Sequence, residues 1–129
     1  MDQTTRRTFL AGAAGASLAG LAGCADDDVD GYEIWGADQG TNTIYIHEPD
    51  GDGGFDEVDE IDTGAEGGEV PHMVDYSSDY EYAAVACTAG ARTLVYRTED
   101  RELVANLETG AGSHFAGFSP DDEYIHVDV

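Results

Sequence analysis

Two histidines recur at matching places in the sequence and have the clearest chemical potential. His72 opens the stretch "HMVDYSSDYEY" and His114 opens "HFAGFSPDDEY", 42 residues further on. Imidazole is a common ligand of zinc and copper, and histidines at equivalent places in repeated units can surround a metal ion. Two ligands are fewer than the three or four that such a site requires. Two interpretations therefore stay open: a metal site that other residues complete, or histidines that hydrogen-bond the backbone of a neighbouring repeat.

An acidic, glycine-rich stretch resembles a calcium-binding loop at first sight. "EPDGDGGFDEVDE" begins at Glu48, and its aspartates alternate with other residues. Counted from Asp50, the EF-hand spacing requires Gly at the sixth position, where this sequence has Phe55. We therefore interpret the stretch as a solvated loop between strands.

The sequence offers no pattern of catalytic residues. It contains no nucleophile-elbow motif, and its acidic residues are too many for any pair to stand out by spacing. Cys87 lies in the apolar run "YAAVACT", which predicts a small buried side chain on a strand rather than a reactive thiol. The tyrosines are expected to be packing residues.

The charge of the chain excludes one class of partner. Among 129 residues, 28 are Asp or Glu and only five are basic, all of them Arg, which gives a net charge of -23. Nucleic-acid binding requires clustered cations, so we expect no nucleic-acid partner. A hydrophobic content of 41% argues against disorder. A dense carboxylate surface is tolerated best where salt screens it, which predicts a salt-loving source.

The amino terminus predicts export and a lipid anchor. Arg6 and Arg7 precede a charge-free run of small and apolar residues, the pattern of a twin-arginine signal peptide over residues 1–23. The run ends in "LAGC", which looks like a lipobox with Cys24 as the lipidated residue; an ordinary cleavage site beside a chance cysteine is the alternative. A lipid on Cys24 would tether the protein to the outer face of the membrane. Residues 24–31 are acidic and predict a tether.

Beyond residue 31 the pattern is all β. The sequence contains nine short apolar-rich runs that are separated by Gly, Asp and Thr, and no stretch shows helical periodicity. The second half repeats at an offset of 42 residues, seen in both the histidines and in Tyr82 and Tyr124. Upstream, "YEIWGADQGTNTIYIHE" matches "YAAVACTAGARTLVYRT" at an offset of 50, with Gly40 over Gly90. Units of 40 to 50 residues with four short strands are typical of β-propeller blades.

Residues 32–129 resemble the YVTN type of propeller repeat, which occurs in secreted and surface proteins. The segment "YAAVACTAGARTLVYRTEDRELVANLETGAGSHFAGFSPDDEY" carries the family's pattern of strand, turn, strand and "SPDG" turn. Three positions depart from it: Ser113 replaces the usual Pro, Asp122 the turn Gly, and Arg97 the usual Asp. The resemblance implies that His72 and His114 begin inner strands, at one rim of the central channel.

The strands add up to an incomplete propeller: three of one blade, four of the next and two of a third. Closed propellers have about four to eight blades, so we expect a fragment of a longer protein, or else self-assembly or completion by another chain. The leading hypothesis is a lipid-anchored, extracytoplasmic β-propeller module that binds a protein or small molecule without catalysis of its own. The alternatives are an oxidoreductase with copper or haem, similar to nitrous oxide reductase or haem d1 propellers, and a lactonase-like hydrolase. The sequence itself requires no cofactor.

Overall fold

Residues 32–129 form an all-β structure, described here from a computed structural model that covers those residues. The nine predicted strands are present and form three antiparallel sheets of three, four and two strands. Blade 1 contains β1 (Ile34–Asp38), β2 (Thr43–Pro49) and β3 (Phe55–Asp62). Blade 2 contains β4 (Pro71–Tyr76), β5 (Tyr82–Cys87), β6 (Arg92–Arg97) and β7 (Leu103–Glu108). Blade 3 contains β8 (Ala116–Phe118) and β9 (Ile125–Val127).

The strand order confirms the blade arrangement. Each strand pairs with its neighbour in the chain, so that blade 2 is a four-stranded meander from β4 to β7. Short turns of Gly, Asp, Asn and Thr permit this order, because antiparallel neighbours need only a tight connection. A 3₁₀ turn at Gly64–Glu66 lies in the connection from blade 1 to blade 2. Within the described residues, no helix is long and apolar enough to cross a membrane.

Two apolar clusters join the three blades. The larger lies between blades 1 and 2 and consists of Trp35, Ile44, Ile46, Ala83, Val85, Cys87, Leu94 and Tyr96. The smaller lies between blades 2 and 3 and consists of Ala84, Ala86, Val95 and Ala116. Alternate residues of β5 enter opposite clusters because successive side chains of a strand point to opposite faces of the sheet. β5 is therefore the apolar centre of the molecule.

The 42-residue repeat is present in the hydrogen bonds as well as in the sequence. In blade 2 the hydroxyl of Ser77 donates to Asp79 Oδ1 and accepts from the backbone N–H of Tyr82. In blade 3 Ser119 forms the same two bonds, with Asp121 and Tyr124. The two turns have the same geometry, and both contain a non-glycine residue with positive φ, Tyr80 (63°) and Asp122 (57°).

The upstream match at an offset of 50 is wrong by one residue. Asp38 and Thr43 close the β1–β2 turn, as Cys87 and Arg92 close the β5–β6 turn, so the structural offset is 49. The residues of positive φ, Asn42 and Ala91, have the same offset. Gly40 is therefore not equivalent to Gly90. A slip of one residue matters in a strand because it exchanges the two faces of the sheet.

The signal peptide of residues 1–23, with Arg6 and Arg7, lies outside the described residues. So do the lipidation site Cys24 and the whole predicted tether, residues 24–31. These remain predictions from the sequence.

Candidate functional site

The structure brings His72 and His114 into direct contact. Their ring centroids are 4.8 Å apart and the ring planes meet at 82°, an edge-to-face arrangement. Both side chains are exposed to solvent. Within residues 32–129 neither imidazole forms a hydrogen bond to the backbone of a neighbouring blade, so the ring contact links the two histidines.

A β-bulge places His72 on the side of β4 that faces blade 3. Pro71 pairs with Cys87 and Met73 pairs with Ala86, which leaves His72 as an extra residue without a partner on β5. Such an extra residue bends the strand and redirects a side chain. Just before it, Val70 has a φ of 56°, a left-handed conformation that is strained for a β-branched residue.

His114 is held from the other side by a carboxylate near the end of the chain. Asp128 Oδ1 accepts hydrogen bonds from the backbone N–H groups of Phe115 at 2.7 Å and of His114 at 2.9 Å. These bonds, that from Phe115 first, lower the pKa of Asp128 below its ordinary value. The ionised carboxylate therefore fixes the backbone that carries the His114 ring.

Three polar contacts across the blade 2–blade 3 junction support this geometry. Asp75 Oδ2 accepts from the N–H of Phe118 at 2.9 Å. The hydroxyl of Thr88 donates to the carbonyl of Ser113 at 2.7 Å. Together with a bond between the side chains of Ser78 and Asp122, described next, they hold the two inner strands at a fixed spacing.

Asp122 stands where the YVTN-type repeat has its turn glycine, and its side chain forms a contact that glycine could not. Its carboxylate accepts from the backbone N–H of Ser78 at 3.0 Å and also from the Ser78 hydroxyl. The residue keeps the left-handed conformation that glycine would adopt, and its side chain adds a bond between blades. Sequence reasoning identified the departure at Asp122 but not its partner, which lies 44 residues away.

The other residues that the sequence singled out have structural environments. Asp50 Oδ1 accepts from the N–H groups of Asp52 and Gly54, and these bonds lower the pKa of Asp50. Cys87 is buried on β5, and burial raises the pKa of its thiol to about 11. Arg97 forms ion pairs with two carboxylates of its own turn.

No third titratable ligand joins the two histidines. Across the part of the chain that the structure describes, no three His, Cys, Asp or Glu side chains are grouped closely enough to hold a metal ion. Asp128 approaches the backbone of His114 rather than completing a set of ligands with the two rings. The arrangement can therefore supply two nitrogen ligands on an open surface.

Comparison with known proteins supports the fold but assigns no family. No protein-family model matches the chain, and no curated protein matches it. The structure is similar to that of a protein from Bacteroides fragilis provisionally named as a 6-phosphogluconolactonase, with a TM-score of 0.54 and 20% sequence identity. The match covers 77% of this chain, which spans only 32% of that protein. At this identity the likeness shows an all-β, propeller-like fold.

Proposed function

We propose that the chain is a β-propeller binding module, anchored outside the cell by a lipid on Cys24. Its ligand surface lies where His72 meets His114, and the ligand is a transition-metal ion bound without catalysis by the module itself. The observation that carries the proposal is the contact of two exposed imidazole rings at 4.8 Å. Neutral imidazole is a good ligand for zinc, copper and nickel.

The charge of the protein favours a cationic ligand. A net charge of -23 attracts cations to the surface before any specific contact forms. Only a neutral imidazole nitrogen can bind a metal, so protons compete with the ion. We therefore expect the affinity for the metal ion to weaken in acidic solution.

The test is a calorimetric titration of the full chain with Zn²⁺. The buffer contains potassium sulfate at about 1 M ionic strength, because the Debye length of about 3 Å then screens the acidic surface. His72→Ala and His114→Ala should each abolish specific binding. His126→Ala is the matched control, since His126 is also exposed and lies on β9, where it pairs with Gly117 and takes no part in the contact between His72 and His114. Equal loss in all three variants would contradict the proposal.

The anchor has a separate test. When the chain is expressed in a host that exports and lipidates proteins, it should enter the detergent phase on phase separation. Cys24→Ser should move it to the aqueous phase, and Cys87→Ala should leave it in the detergent phase. Detergent partition of the Cys24→Ser variant would refute lipidation.

A lactonase-like hydrolase is the second candidate, and the similarity to the Bacteroides fragilis protein favours it. It predicts that the chain hydrolyses 6-phosphogluconolactone faster than the spontaneous rate, with loss of the excess rate on chelation. A rate equal to the spontaneous one would contradict the hydrolase and favour the binding module.

A further inference from the structure

The β-bulge brings a third donor to the same face as the histidine pair. Met73 pairs with Ala86, whose side chain packs in the cluster with Ala116 of blade 3. Opposed residues of an antiparallel pair share one face of the sheet, so Met73 also faces blade 3. In a regular strand, consecutive residues such as His72 and Met73 would face opposite sides. The extra residue removes that alternation, because His72 contacts His114 of blade 3.

The side chain of Met73 is exposed to solvent. It is 42% accessible, although methionine is an apolar side chain that normally fills gaps in a core. It is the one methionine in the described part of the chain, since the other is Met1. The exposure leaves the thioether of Met73 accessible to a ligand on the side of β4 that faces blade 3.

We propose that His72, His114 and Met73, the rim cluster, bind Cu(I) in preference to zinc. This inference rests on the proposed function and specifies its ligand. Thioether sulfur is a soft donor that selects Cu(I), whereas zinc takes nitrogen, thiolate and carboxylate ligands. Two imidazole nitrogens and one thioether sulfur therefore form a neutral donor set suited to a monovalent, soft ion.

The neighbouring carboxylates already have hydrogen-bond partners. Asp75, two residues beyond Met73 and on the same face of β4, accepts the N–H of Phe118 with Oδ2. Asp128 Oδ1 accepts two backbone N–H groups beside His114. A hard ion such as Ca²⁺ or Mg²⁺, which prefers carboxylate oxygen, would compete with these bonds. The soft donors face no such competition.

The experiment measures Cu(I) and Zn²⁺ affinities of the full chain in parallel. Cu(I) is supplied without oxygen from a bicinchoninate complex, at the same high sulfate concentration as before. Met73→Leu removes the sulfur while keeping the size of the side chain. We expect it to weaken Cu(I) binding by about tenfold or more, the scale of losing a specific metal contact, and to leave Zn²⁺ binding within about twofold. X-ray absorption should show copper–sulfur scattering that this variant loses.

The outcomes separate this inference from the function on which it rests. If Met73→Leu leaves Cu(I) affinity and the absorption spectrum unchanged while His72→Ala abolishes binding, the two-histidine site stands and the role of Met73 is refuted. If neither histidine variant changes the affinity for either ion, the proposed function itself is refuted. Far-ultraviolet circular dichroism of each variant checks that the strands are retained.

Discussion

The two junctions between blades are built from the same repeat but held by different forces. Between blades 1 and 2 the contact is a large apolar cluster that contains aromatic rings. The ring centroid of Trp35 lies 6.2 Å from that of Tyr76 and 6.4 Å from that of Tyr96. One basic residue, Arg101, adds ion pairs to Glu33 and Asp59 of blade 1. Between blades 2 and 3 the cluster is mostly alanine, and the specific contacts are hydrogen bonds that carboxylates accept and that a hydroxyl donates.

The difference shows how a repeat can keep its geometry while its stabilising interactions change. The free energy gained by burying large apolar side chains is proportional to the buried area and changes little with small shifts, whereas hydrogen bonds fix distance and direction. Between blades 1 and 2 one such bond, from the N–H of Val70 to Asn42 Oδ1 at 2.8 Å, accompanies the large apolar cluster. The junction that carries the rim cluster depends more on directional bonds, because its apolar cluster is small. A binding site needs its donors at a fixed spacing, which alanine packing alone would not set.

Removal of the central aromatic residue should have the largest effect. Trp35 is 7% exposed, and Trp35→Ala should destabilise the chain by about 3 to 5 kcal/mol through lost burial and a residual cavity. Urea unfolding followed by circular dichroism measures the change. Tyr124→Ala is the control, because Tyr124 is 65% exposed and its loss should change stability by no more than about 0.5 kcal/mol. Similar losses in the two variants would mean that apolar burial does not distinguish the junctions.

The carboxylate bond between blades 2 and 3 should have an intermediate effect. Asp122→Gly removes the bonds to Ser78 but suits the φ of 57°, so the net loss should be about 1 kcal/mol. Asp122→Asn keeps an acceptor and should lose less. Hydrogen exchange should accelerate in β9 and stay unchanged in β5. A glycine variant as stable as the parent would show that the bond contributes nothing to the junction.

The residues that precede the two histidines offer a finer test. Val70 and Gly112 occupy equivalent positions, and both have positive φ, 56° and 92°. Nothing lies within 4 Å of a Cβ added at Gly112, so Gly112→Ala should cost about 1 kcal/mol from backbone strain alone. Val70→Gly should change stability less, because relief of strain is offset by the flexibility of glycine. Thermal unfolding compares the two, and a neutral Gly112→Ala would remove strain as a feature of these turns.

Acid should loosen the polar junction before the apolar one. The lowered pKa of Asp128 means that its stabilising bonds are fully present above the ordinary Asp value of about 3.9 and are lost as the pH falls through the lowered value. Hydrogen exchange in high salt, which screens the relief of charge repulsion, should show β9 opening before β5. Asp128→Asn should weaken this pH dependence, and Asp56→Asn, exposed on β3, should not. Simultaneous opening of both strands would contradict the assignment.

Much of the fold could be predicted from residue patterns. Short apolar-rich runs predicted the nine strands, and the spacing of His72 and His114 and of Tyr82 and Tyr124 revealed the 42-residue repeat. The turns at Ser77 and Ser119 keep this repeat in the structure because their hydrogen bonds are local. The offset between blades 1 and 2 differs from 42 because a longer connection separates them. Without a fixed offset, the alignment followed identical residues and wrongly paired Gly40 with Gly90. A glycine there is needed for another reason: a Cβ would lie 2.3 Å from the carbonyl oxygen of Gly67.

The candidate site was also predicted only in part from the sequence. The sequence placed His72 and His114 at equivalent positions, but it could not show that their rings touch. Its pattern gave no role to Met73, because strict alternation puts that side chain on the other face from His72. The partners of Asp122 and Asp128 were also out of reach, since each bond joins segments distant along the chain or depends on how two blades meet.

The sequence by itself determined the all-β class, the number of strands, the repeat of the inner turn and the strongly acidic surface. These follow from side-chain periodicity, local turn chemistry and composition, which act over a few residues. Tertiary structure alone decided the bulge at His72, the meeting of His72 with His114 and the contrast between the two junctions. Those features depend on strand register and blade packing, where a shift of one residue exchanges the faces of a sheet and distant groups become neighbours.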